Sequence, residues 1–168
     1  MASGGRVWGL KEMAASPDAP GPAGVPVLSE GLQGEAEVTV SQAHTARHFS
    51  SGAVDAFGTP ALLALMEHAA VRAVAPHLPS GLTTVGVGVQ MRHLAATPVG
   101  LRVRARARLT RQEGRRLWFE VEAFDPVEKV GEAVHERFIV EEDRFYRRLE
   151  AKRKSSGASG PPGGPGGR

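Results

Sequence analysis

Thr59-Pro-Ala-Leu-Leu-Ala-Leu-Met-Glu-His-Ala-Ala-Val-Arg-Ala-Val74 is the stretch that decides how this chain folds. Thr59 is a good N-cap and Pro60 suits the first helical position, while Pro76 and Pro79 close the far end. At about 100° per residue, Leu62, Leu63, Leu65, Met66, Ala69, Ala70, Ala73 and Val74 form one broad apolar face. His68 and Arg72 fall on the opposite side. A helix with so wide an apolar face has to be covered.

On both sides of the helix the period drops to two. Before it, Ala36, Val38 and Val40 alternate with Glu37, Thr39 and Ser41, a half-buried strand. After it, Val85, Val87, Val89, Met91 and His93 read as one face of a strand, with Gly86, Gly88 and Gln90 on the other. Beyond a turn at Thr97-Pro98-Val99-Gly100, Val103, Ala105, Ala107 and Leu109 alternate with Arg102, Arg104, Arg106 and Arg108. Glu113-Gly114 supplies a hairpin turn. The return strand sets Leu117, Phe119, Val121 and Ala123 against Glu120 and Glu122. Asp125-Pro126 turns the chain into a last strand over 129–140, and a short charged helix over 142–152 ends the domain. One strand, a long helix and four antiparallel strands make an α+β arrangement. A curled antiparallel sheet wrapped round one central helix, the hot-dog fold, suits that helix best. The open edges of such a sheet predict pairing with a second copy.

Composition narrows the function. The chain has 168 residues and 41% hydrophobic side chains, enough for one domain with an apolar core. Its longest apolar run, Ala61 to Met66, is far short of the ~20 residues a membrane span needs. Met1 to Ser16 contains no apolar signal-peptide core, so a cytoplasmic location is expected. Without cysteine there is no disulfide framework, zinc ribbon or thiol nucleophile. The charge of +3 and pI near 9.8 leave nucleic acid or a phosphorylated ligand open. Glycine and proline concentrate in 1–34 and 155–168, which predicts two disordered tails around a domain at 35–154.

Three residues stand out within the domain. Glu67 lies at the border of the helix's apolar face, where lost solvation suits a carboxylate to acid–base or nucleophilic work. His93 ends a strand row directed toward the helix and is the natural general base, with His135 next in line. Thr59 places a hydroxyl beside the free N–H groups of a helix start. Hydroxyl, carboxylate and base together suit acyl transfer. Each also has a plainer role: a boundary carboxylate, a core histidine, a helix cap. The arginine row faces Glu120 and Glu122 across the hairpin, so cross-strand pairing on a wet face is expected. Trp118 alone supplies an aromatic there, and no Gly-rich phosphate loop follows a strand, so nucleic acid is not the expected partner.

Three stretches then carry a family resemblance. Phe57-Gly-Thr-Pro-Ala-Leu-Leu-Ala-Leu-Met-Glu67, Val85 to Gly100 and His135-Glu-Arg-Phe138 resemble the fluoroacetyl-CoA thioesterase family of hot-dog proteins in order and spacing. The likeness runs over about 35–145. It implies a homodimer, or a higher oligomer built from it, that hydrolyses acyl-CoA thioesters near the dimer interface. It further implies that Thr59, Glu67 and His93 are catalytic, and that Gly86, Arg137 and Phe57 contact substrate. The Gly86 N–H would polarise the thioester carbonyl. CoA arrives as part of the substrate, so no cofactor and no metal are implied. The family's namesake carries a lid insertion with a phenylalanine before its threonine. Here only Ser50 to Gly58 joins His48-Phe49 to Thr59, so the resemblance implies thioester hydrolysis but not fluoroacetyl-CoA specificity. An enoyl-CoA hydratase on the same fold and a non-enzymatic acyl-CoA or nucleic-acid binding module are the rival readings.

Overall fold

A computed structural model describes residues 24–157. Strand β1 (Gln33–Thr39) leads to helix α1 (Thr59–Val74). Strands β2 (Leu82–His93), β3 (Arg102–Glu113), β4 (Arg116–Phe124) and β5 (Lys129–Glu141) follow, and helix α2 (Glu142–Ser155) runs out along the surface. All pairings are antiparallel, and the sheet order is β1-β3-β4-β5-β2. Strand β2 therefore skips its sequence neighbour and forms one edge of the sheet, with β1 at the other.

The sheet curls around α1, giving the hot-dog fold. Leu62, Met66, Ala69, Ala70, Ala73 and Val74 are buried against Val103, Ala105, Leu109, Leu117, Phe119, Val121 and Ile139. Small residues set how closely the helix lies. A Cβ on Gly34 would collide with the backbone of Ala69 and Ala73, and one on Gly131 would come within 2.8 Å of Leu62 and 3.0 Å of Met66. In the β3–β4 hairpin, Gly114 takes the positive φ of +56° that the tight turn requires.

The structure departs from the sequence reading at several points. The packed unit begins before residue 35. Leu28 is buried, its N–H donating to Gln112 Oε1 at 2.6 Å, while Gln112 Nε2 donates to the Pro26 carbonyl at 2.9 Å. Gly31 and Leu32 then bond the Leu109 backbone, so 25–32 is an arm stitched to β3. Residues 1–23 and 158–168 of the expected tails lie outside the described residues.

The second departure is in β2. A β-bulge falls between Gly86 and Gly88, where Val87 has no partner on β5. The bulge reverses the alternation. Thr84 and Gly86 pair with Ile139 and Arg137 and face the helix, whereas Val89, Met91 and His93 do so only beyond it. Gly86 and His93 thus share a face that simple alternation would have denied them.

The arginine row also pairs differently. Arg106 reaches Glu35 at 2.6 Å and Arg104 reaches Glu37 at 3.3 Å, both on β1. Only Arg108 takes Glu120, at 2.5 Å, while Glu122 goes to Lys129 at 2.7 Å. Because β3 lies between β1 and β4, its arginines have carboxylates on both flanks.

Candidate active site

Two polar clusters lie along α1, one at its start and one about two turns later. The first turns on Gly58. Its carbonyl accepts the first helical hydrogen bond from Leu62 N–H at 3.0 Å, so Gly58, not Thr59, is the N-cap. Its own N–H donates to the His44 carbonyl at 2.8 Å, and Phe57 N–H donates to Thr97 at 2.8 Å. These bonds fix the entry of the helix. Phe57, expected at the substrate, is 3% exposed and stacks edge-on against His44, so it mainly anchors this junction.

With Gly58 as the cap, the Thr59 hydroxyl is left for other work. Thr59 Oγ1 lies 3.0 Å from His93 Nδ1, at the end of β2. His93 Nε2 is buried and has no hydrogen-bond partner among the described residues. Burial holds the His93 pKa below its ordinary value, with the Ala95 backbone opposing. The ring is therefore neutral near pH 7 and able to accept a proton. Thr59, His93 and Phe57 border a cleft of about 290 Å³ together with Ala46, Val54 and Leu94.

Glu67 sits in the second cluster. Eight residues beyond Thr59, it is displaced by about 12 Å along the helix at ~1.5 Å per residue. Its Oε1 lies 3.6 Å from His135 Nε2 and 3.8 Å from Arg137 Nη1, both inward-facing on β5. Arg137 is 5% exposed. Its Nε donates to Thr84 Oγ1 at 2.9 Å and its Nη2 to the Thr84 carbonyl at 2.8 Å. Its Nη1 faces His135 Nε2 at 3.1 Å, and His135 Nδ1 faces the Gly88 carbonyl at 2.9 Å. Gly86 lies directly below: a Cβ there would come within 2.5 Å of Glu67 Oε1 and 3.2 Å of His135. A larger residue there would push the carboxylate, the free end of a flexible side chain, out of this position.

Of the residues expected at the site, Thr59 and His93 come together, as do Glu67, Gly86 and Arg137. Within one chain the two groups stay apart. Sequence reasoning passed over Thr84, and it held His135 only as a reserve base. The spacing of His135 and Arg137, two apart on a strand and therefore on one face, was the available signal.

A curled antiparallel sheet wrapped around one helix defines a hot-dog protein, a fold shared with known thioester hydrolases. Residues 40–143 match the profile of the family described as fluoroacetyl-CoA-specific thioesterase, FlK, and the chain belongs to that family. It is 40% identical over 98 residues to the fluoroacetyl-CoA thioesterase of Streptantibioticus cattleyicolor, covering 58% of this chain and 70% of that one. A solved structure of the fluoroacetyl-CoA thioesterase FlK superposes with a TM-score of 0.71 at 33% identity, over 76% of this chain and 98% of that one. A thioesterase-superfamily member from Thermus thermophilus gives 0.68 at 30% identity, over 76% and 96%. No helix among the described residues is long and apolar enough to cross a membrane.

Proposed function

We propose that the chain hydrolyses a small acyl-CoA thioester, and that two copies complete each active site. The contact between Thr59 Oγ1 and His93 Nδ1, at 3.0 Å beside an open cleft, carries this reading. It pairs a hydroxyl with a neutral base, as nucleophilic acyl transfer requires. His93 takes the proton from the attacking oxygen, of Thr59 or of water, as that oxygen bonds to the carbonyl carbon. The same proton then passes to sulfur as the C–S bond breaks, releasing CoA as its thiol. With Thr59 as nucleophile, water resolves the acyl-enzyme by the same proton route. Either way the net products are the free acid and CoA.

Glu67 is too far along the helix to join that pair in its own chain. The outer edge of β2 has no strand partner among the described residues, and Val87 and Val89 stand 55% and 41% exposed there. With Val87 bulged out, antiparallel pairing of two β2 edges about a two-fold axis at Gln90 would set His93 opposite Gly86 of a second copy. Thr59 and His93 of one copy would then face Glu67, Gly86 and Arg137 of the other. The acyl group would lie between them.

Thiol release across a panel of acyl-CoAs tests the reaction. The chain has no cysteine, so every thiol detected is CoA. Turnover of short acyl-CoAs with stoichiometric thiol is expected. Hydration of a crotonyl thioester without thiol release would replace this reading with a hydratase. No turnover, together with steeply salt-dependent DNA binding, would replace it with a binding module.

A further inference from the structure

His135 is the buried titratable group that this chemistry leaves without a role. It is 2% exposed, and both ring nitrogens are engaged. Their partners determine its protonation state. The Gly88 carbonyl can only accept, so Nδ1 must carry the hydrogen. The Arg137 guanidinium can only donate, so Nε2, 3.1 Å away, must be bare. A second ring proton would set N–H against N–H beside a cation that Thr84 already holds through two bonds.

We infer that His135 is a positioning residue: as the neutral Nδ1–H tautomer it clips the β2 bulge to Arg137, and so fixes the guanidinium and Glu67 beside Gly86. Glu67 and Arg137 are the charged groups that face the ring, the first from α1 and the second from its own strand. From β2 it meets the Gly88 carbonyl and from β4 the ring of Phe119. Burial is the main influence holding its pKa down. The Gly88 carbonyl opposes that influence, Arg137 adds to it, and Glu67 opposes it.

The nearest acceptor to Arg137 Nη1 is thus the His135 lone pair at 3.1 Å, ahead of Glu67 Oε1 at 3.8 Å. While the ring takes that N–H, the carboxylate stays outside hydrogen-bond contact with the guanidinium and 42% exposed. Remove the acceptor and Nη1 faces Glu67. A close Arg137–Glu67 pair would draw the carboxylate off Gly86 and occupy it. His135 therefore cannot double as a general base, because its lone pair is committed to Arg137.

This inference rests on the thioesterase reading for its kinetic consequence but not for its structural one, so two measurements separate them. The first is a long-range ¹H–¹⁵N correlation spectrum of the full chain near neutral pH. A neutral His135 with hydrogen on Nδ1 is expected, and an imidazolium or an Nε2–H ring would overturn the proposal whatever the substrate. The second compares His135→Phe, which keeps ring shape without an acceptor, with His135→Gln, which returns one. A misplacement of about 1 Å costs on the order of 100-fold, so His135→Phe should lower kcat by about 10- to 100-fold with KM little changed. His135→Gln should recover most of that loss. A folded His135→Phe protein with wild-type kcat, or a His135→Gln protein no better than it, would overturn the proposal. Should His135→Phe fail to fold, the tautomer decides alone. A wild-type protein that releases no thiol from any acyl-CoA would defeat the thioesterase reading and leave the tautomer result standing.

Discussion

The two clusters along α1 hold their polar groups in opposite ways. At the helix start, Thr59 and His93 share one contact, and His93 Nε2 has no partner among the described residues. Two turns on, Arg137 is tied through three of its nitrogens, and His135 through both of its own. A buried network with every member satisfied admits one arrangement and resists change. A lightly partnered hydroxyl and imidazole can change protonation state with little rearrangement. On the proposed reading, the first cluster is where protons move, and the second holds a carboxylate in place for it.

The largest effect should come from the cluster with fewest bonds. His93→Ala should lower kcat by at least ~100-fold while the protein stays folded, as steady-state thiol release and a thermal melt would show. Equal loss of kcat and stability would make His93 a packing residue. Next is Gly86→Ala, whose methyl would come within 2.5 Å of Glu67 Oε1. The carboxylate ends a flexible, partly exposed side chain and can swing aside, so stability should change little while kcat falls. An unchanged kcat would mean that the carboxylate's position is immaterial.

Acid should unsettle both clusters. The folded-state pKa values of His93 and His135 both lie below the ordinary 6.5, so the unfolded chain binds protons more readily. The stability tied to these rings is therefore complete above that value. It declines as pH falls through 6.5 and is gone below the folded-state values. Urea midpoints measured across this range should show that slope, and His135→Gln should flatten it. The smallest effect lies outside the site. Arg106 and Glu35 pair at 2.6 Å with side chains 59% and 48% exposed, so Arg106→Gln should change stability by ~1 kcal/mol or less and leave KM unchanged. A large rise in KM would assign the arginine face to the CoA phosphates.

The sequence made the periodic elements legible and the non-local ones illegible. Leu62 through Val74 keep a helical repeat, and Val103 through Leu109 a strict alternation, so helix and hairpin follow from local pattern. The bulge at Val87 breaks such a pattern silently. The glycines on either side were its only local sign, and without it Gly86 falls on the wrong face. Leu28 is buried because Gln112, 84 residues on, captures its N–H, a bond that no window on the arm's own residues predicts. The arginine row needed the strand order to find Glu35 and Glu37. At the site, Thr59, Glu67 and His93 could each be picked out by residue type and position. Their division into two clusters depended on α1's length and on where β2 ends.

That division makes a mixed dimer the most direct measurement. His93→Ala and Glu67→Gln proteins, each nearly inactive alone, would be unfolded together, refolded and assayed for thiol release. If each site draws His93 from one copy and Glu67 from the other, every mixed dimer regains one intact site. With random pairing the mixture should then reach roughly a quarter of wild-type activity. A mixture no more active than its parents, with mixed dimers shown to have formed, would contradict the shared site.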